Sequence, residues 1–162
     1  MSGVHSYTVN VLWTGAGTSG TESYTSYARD HEVVVAGKPA IEGSSDPAFR
    51  GDESRYAPEE LFVASLSQCH MLWALQMAAR AGVRVVGYSD RAIGAMRIQS
   101  VGGGQFIGVT LHPQLTVADE VDEEAVARIH ADAHAYCFIS RSVNFPVRIS
   151  PVTTIVAAPE QP

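Results

Sequence analysis

The order of periodicities along the chain predicts an α+β fold: period-two segments first, then one long apolar helix, two strand-like stretches, a second helix and a closing strand. Two local signals support that order. Pro58 followed by Glu59 and Glu60 reads as a helix start, because proline suits the first helical position and carboxylates suit the positive end of the dipole. Gly102-Gly103-Gly104 between two β-rich stretches reads as a hairpin turn. We read one domain over residues 1–162, a length that supports one core and is short for two.

Each element has its own justification. In residues 5–13, Tyr7, Val9, Val11 and Trp13 fall on one face at period two, which predicts a half-buried strand. Strands over Glu22–Arg29 and His31–Val35 follow, in an antiparallel meander ending at Gly37-Lys38-Pro39. Residues 41–57 are rich in turn formers and read as a long loop. The first helix is placed at 58–81, with Gly82 as its cap, and its apolar middle predicts enclosure on most sides. Val83–Gln99 and Gln105–Val117 read as two long strands. Asp122 caps a second helix over 123–138 whose buried stripe is Val126, Ile129, Ala133 and Cys137. Val143–Ile149 closes the chain, with Pro146 marking an edge.

Composition narrows the function. A formal charge of −6 with scattered basic residues offers no footprint for a phosphate backbone, so nucleic acid is not an expected partner. The uncharged run Leu61–Ala79 contains Ser65, Ser67, Gln68, His70 and Gln76, which favours a buried helix over a membrane span. The first residues lack a basic region followed by an apolar one, so the expected location is cytoplasmic. Two cysteines in a reduced compartment are free thiols by default, and any pairing between them is transient.

Cys69 lies deep in the first helix and Cys137 near the end of the second. Each is either a small core hydrophobe or half of a dithiol and disulfide cycle. A reactive cysteine needs a neighbour that holds the thiolate, and His70 points about 100° away around the helix. His130, His134 and Cys137 share a helix face, a spacing that could bind zinc, although a partly solvated face is the simpler reading. Neither a metal nor another cofactor is expected. Arg29, Arg50 and Arg55 are the candidate cations.

Pro58-Glu59-Glu60-Leu61-Phe62, Cys69 ten positions after Glu59, and Ala133-His134-Ala135-Tyr136-Cys137 before a Val-rich strand resemble the superfamily of osmotically inducible protein C and the organic hydroperoxide resistance protein. Phe49-Arg50-Gly51-Asp52 and Cys69-His70 resemble its OsmC-like branch. The resemblance runs from about Trp13 to Val147. It implies an OsmC-like fold, with antiparallel sheets around a long buried central helix in an intertwined dimer. It also implies a thiol peroxidase that reduces organic hydroperoxides, with Cys69 as peroxidatic and Cys137 as resolving cysteine. A dithiol, commonly of the lipoyl type, would restore the pair. Glu59 matches the glutamate of an arginine and glutamate pair that the family sets beside the sulfur. The arginine does not carry over, since residues 15–20 hold none, and Arg29 and Arg50 are the substitutes considered. The alternative reading is a small-ligand-binding protein of the same fold with inert cysteines.

Glu59 and Cys69, ten residues apart on one helix, are separated by about 15 Å along the axis and cannot touch. Two copies of the helix crossing antiparallel near Ala64 and Ser65 would place each Glu59 beside the other chain's Cys69. A homodimer with composite sites is therefore expected.

Overall fold

The computed structural model describes residues 3–100 and 102–156. Its order is β1 (Asn10–Trp13), β2 (His31–Val34), β3 (Ile41–Gly43), a 3-10 turn (Pro47–Phe49), α1 (Pro58–Arg80), β4 (Val85–Asp90), β5 (Ile93–Ile98), β6 (Gly104–Leu111), β7 (Pro113–Val117), α2 (Glu123–Tyr136), a 3-10 turn (Ser140–Ser142), β8 (Val147–Ile149) and β9 (Val152–Ile155). The class is α+β, as the periodicities predict. The chain forms two compact units, one ending at Phe62 and one beginning at Val63.

In the first unit β1, β2 and β3 form an antiparallel sheet, with Trp13 opposite His31 and His31 opposite Gly43. The strand predicted from residue 5 begins only at Asn10, and the face expected to be half-buried is open, with Tyr7 88% exposed. The strand expected over Glu22–Arg29 is a set of turns. Ser26 Oγ donates to the carbonyls of Gly20 and Ser23 at 2.7 and 2.9 Å, and such local bonds compete with a ladder. The expected loop 41–57 contains β3, which the turn residues around it conceal.

Helix α1 starts where the sequence predicts. Pro58 needs no donor there, and Glu60 Oε2 accepts the Ala57 N–H at 2.9 Å, as in a capping box. Gly82, at φ +73°, ends it, and the Val83 N–H closes back onto Ala78 O at 2.9 Å.

The second unit corrects the sheet prediction. Each of the two long strands expected after α1 breaks once, so β4 pairs with β7 and β5 with β6 in different sheets. The break falls after Asp90 on one side and at His112 on the other, with Asp90 and Pro113 the last pair of the β4–β7 ladder. Asp90 Oδ1 accepts the His112 N–H at 2.7 Å, and Asp90 Oδ2 accepts Ser67 Oγ of α1 at 2.5 Å, so one carboxylate closes the gap and ties the hairpin to the helix. The sheets are mixed rather than antiparallel, because β8 joins β6 and β9 joins β7 in parallel. β8 lies at a sheet edge, in keeping with Pro146, and β9 goes beyond the single closing strand expected.

The core sits where α2 crosses α1. Ala74, Met77 and Ala78 pack against Ile129 and Ala133, with Trp73, Val83, Val85 and Tyr88 around them. Helix α2 is capped by Asp122, whose side chain accepts the Glu124 N–H at 3.2 Å. Its predicted stripe, Val126, Ile129, Ala133 and Cys137, is buried throughout. Enclosure of α1 is narrower than predicted. In this chain only the stripe Leu66, His70, Ala74, Met77 and Ala78 is buried, while Leu72 is 62% exposed.

His70 and His130, both buried, join the same two helices. Nε2 of His70 lies 3.0 Å from Nδ1 of His130, and the rings lie within 14° of parallel. The outer nitrogens, His70 Nδ1 and His130 Nε2, have no partner among the described residues. Burial, and then the neighbouring His130 and His134, push His70 down to about 4, and burial lowers His130 as well. The pair is neutral at pH 7.

Two outcomes follow from this packing. Ala133→Leu places an isobutyl group in the helix seam, and the overpacking should cost about 1–3 kcal/mol in denaturant unfolding. The unfolded chain binds protons on His70 near its ordinary value of 6.5, whereas the folded chain does so only near 4. Stability contributed at this site should therefore be complete above pH 6.5 and fall by a few kcal/mol between 6.5 and about 4. Urea titrations of wild type and a His70→Leu/His130→Leu variant across that range should converge with falling pH, and parallel curves would refute the assignment.

Candidate functional site

Helix packing brings together the two cysteines. Cys69 projects from the middle of α1 and is partly exposed, whereas Cys137 caps α2 and is 1% exposed. The two cysteine side chains lie near each other. Burial raises Cys137 to about 11, with the neighbouring Cys69 thiol as the next cause, while the backbone N–H of Ser140 acts in the opposite direction. The Ser140 N–H lies 3.4 Å from the Cys137 sulfur. Both thiols are free.

The chain reverses just after Cys137. Arg141 N–H donates to Cys137 O at 3.0 Å, and Ser142 Oγ donates to Phe138 O at 2.8 Å. Ser140 Oγ lies 3.3 Å from His134 Nδ1, so a residue that sequence reading overlooked bridges His134 to the sulfur's own donor. No motif marks Ser140; only the turn brings it back. An aromatic wall adjoins Cys137 in sequence. Trp73 stacks on Tyr136 with ring centres 5.3 Å apart and meets Phe138 edge-on at 5.5 Å. Tyr136 and Phe138 are largely exposed, whereas Leu66, one turn before Cys69, is fully buried.

The histidines differ from their expected role. His130 is buried against His70 rather than solvated, and only His134 is partly exposed. Among the described residues no group of three or more histidine, cysteine or carboxylate side chains is arranged to hold a metal ion. The ring of His70 does turn away from Cys69, toward α2. Leu66, His70, Ala74 and Ala78, spaced by four, carried the signal for that burial.

Glu59 lies in the first turn of α1, and its Oε2 is buried without a partner among the described residues. The helix is unbroken to Arg80, so the ten residues to Cys69 span about 15 Å. The candidate arginines belong to the first unit. Arg29 is held between Tyr24 and Tyr27, its guanidinium 4.3 Å from each ring centre, and donates to both backbone carbonyls at 2.8 and 2.7 Å. Arg50 is exposed and ends a 3-10 turn in the left-handed region at φ 68°. Arg55 faces Asp30, Glu42 and Asp52 at 3.8, 3.9 and 3.7 Å. No helix among the described residues is long and apolar enough to cross a membrane.

Comparison with known proteins bears on the fold and the family. Residues 51–152 match the family described as OsmC-like protein. An OsmC-like protein of unknown function from Vibrio cholerae is 31% identical, with 94% of this chain and 100% of that one covered and a TM-score of 0.79. An organic hydroperoxide resistance protein from Elizabethkingia anophelis is 20% identical over 93% and 99% of the two chains, with a TM-score of 0.69. The organic hydroperoxide resistance protein OhrB of Bacillus subtilis is 19% identical over 91% and 98%, with a TM-score of 0.61. No curated protein matches. Matched along nearly all its length to a relative of the same fold, and over residues 51–152 to the family itself, this chain belongs to the OsmC-like family.

Proposed function

We propose that the protein is a thiol peroxidase that reduces organic hydroperoxides through a Cys69–Cys137 disulfide cycle. The observation that carries this reading is the pairing of a partly exposed thiol with a buried one held at about 11. Cys137 then remains a thiol at neutral pH and does not compete for peroxide, so the roles divide between the two sulfurs. Organic hydroperoxide resistance proteins among the solved structures of the same fold support the same reading.

In the first step the Cys69 thiolate attacks the terminal oxygen of ROOH. The S–O bond forms, the O–O bond breaks, and the departing alkoxide takes a proton to leave as ROH. Cys69 is left as a sulfenic acid. The Cys137 sulfur then attacks Cys69, the S–S bond forms, and the hydroxyl leaves as water with the Cys137 proton. An external dithiol, of the lipoyl type in the family's manner, returns both thiols. The Trp73, Tyr136 and Phe138 wall adds apolar contact area that a bulky organic peroxide uses and hydrogen peroxide does not.

Glu59 completes the site from a second copy of the chain. Its carboxylate has a buried, unpartnered oxygen, it stands about 15 Å along the helix from its own Cys69, and α1 keeps exposed apolar residues such as Leu72. An antiparallel crossing near Ala64 and Ser65 answers all three. The carboxylate would orient an arginine at the sulfur, with Arg29 and Arg50 as the candidates. The protein then acts in the cytoplasm without a bound cofactor.

Brief treatment of the reduced protein with one equivalent of cumene hydroperoxide should remove about two mass units and join Cys69 to Cys137. Intact thiols would pass the lead to the ligand-binding reading. Cys69→Ser should abolish turnover, whereas Cys137→Ser should leave a dimedone-reactive sulfenic acid on Cys69. Glu59→Gln should lower kcat/KM at least about tenfold, as loss of a charge-assisted hydrogen bond implies. Light scattering at micromolar concentration should give twice the 17.3 kDa chain mass, and a monomer would remove the composite site.

A further inference from the structure

The disulfide of the proposed cycle has two inequivalent sulfurs, and thiol–disulfide exchange must choose between them. Displacement at sulfur runs in line: the incoming thiolate approaches from the side opposite the sulfur that leaves. Attack on Cys137 would have to come through the far side of a residue that is 1% exposed. The chain doubles back directly after Cys137 through Ser140–Ser142, with Arg141 N–H bonded to Cys137 O at 3.0 Å. Cys69 is partly exposed and is the less enclosed of the two residues.

The turn after α2 also suits a departing sulfur. The Ser140 N–H donates to the Cys137 sulfur at 3.4 Å, and His134 holds Ser140 through Oγ at 3.3 Å. A backbone donor on the sulfur stabilises the negative charge that develops as the S–S bond opens. Cys69 lies mid-helix, where the backbone N–H groups are already committed to the helix.

We propose that the regenerating dithiol attacks Cys69, and that Cys137 is the leaving sulfur, caught by the Ser140 N–H group. The inference rests on the dithiol cycle proposed above. In the exchange, one reductant sulfur bonds to Cys69 Sγ, the Cys69–Cys137 bond breaks, and its electron pair goes to Cys137, which takes a proton from water. The second reductant thiol then attacks the reductant sulfur attached to Cys69. The reductant closes to its own disulfide and Cys69 leaves as thiolate, so two electrons pass from the dithiol to the protein. Burial makes Cys137 the weaker leaving group of the two. That effect slows the step but cannot open a trajectory to the buried sulfur.

The test uses the wild-type protein, oxidised with diamide so that the disulfide forms without any peroxide. The protein is exposed to limiting 5-thio-2-nitrobenzoate, quenched in acid within milliseconds to seconds, alkylated, and mapped by peptide mass spectrometry. The thionitrobenzoate adduct should sit on Cys69, with the alkyl group on Cys137, in at least about tenfold excess over the reverse arrangement, the ratio extrapolated to the shortest quench time. An adduct on Cys137, or an even split, would overturn the inference, as would a failure of diamide to join the two cysteines. Adducts on Cys69 in a protein that leaves cumene hydroperoxide untouched would uphold the direction of exchange and reject the peroxidase reading alone.

Discussion

Packing of α2 against α1 through side chains is the constraint on which the rest of the second unit depends. Ala74, Met77 and Ala78 of α1 share one buried cluster with Ile129 and Ala133 of α2. Met77 and Ile129 bring most of the apolar volume to that cluster, and the buried alanines complete its close packing. Proximity has a chemical consequence. Cys69, in the middle of one helix, and Cys137, at the end of the other, become neighbours, although 68 residues separate them in sequence.

That same seam buries two imidazoles. Each has one ring nitrogen satisfied by the other and one left without a partner among the described residues, which is costly in a region of low polarity. The cost is bearable only for neutral rings, so the pair resists protonation well below the usual histidine range. Burial therefore acts in the same sense on both kinds of group: it keeps His70 and His130 neutral and Cys137 protonated. Cys69, on the same helix as His70, lies at a more exposed place.

Much of this was legible along the chain. Pro58, Glu60 and Gly82 mark both ends of α1, Asp122 marks the start of α2, and the four-residue stripe through Cys137 is buried in full. Errors cluster where side chains compete locally with the ladder or where a strand changes partner. Ser26 draws the segment after Gly20 into turns, and a carboxylate at Asp90 lets one apparent strand become two. Neither event alters apolar periodicity, which is the signal from which strands are read. β9 adds a pairing in parallel with a strand nearly forty residues earlier, and such pairing leaves no local mark.

Local sequence thus determined the helices, their caps, the class, and the two cysteines as the residues worth watching, because capping chemistry and helical period act over a few residues. Tertiary structure alone decided which cysteine is sheltered, that His70 meets His130, and that Ser140 returns to the sulfur beside His134. The first set depends on neighbours in the chain. The second depends on burial and on approach between distant elements, and these exist only once the helices have packed.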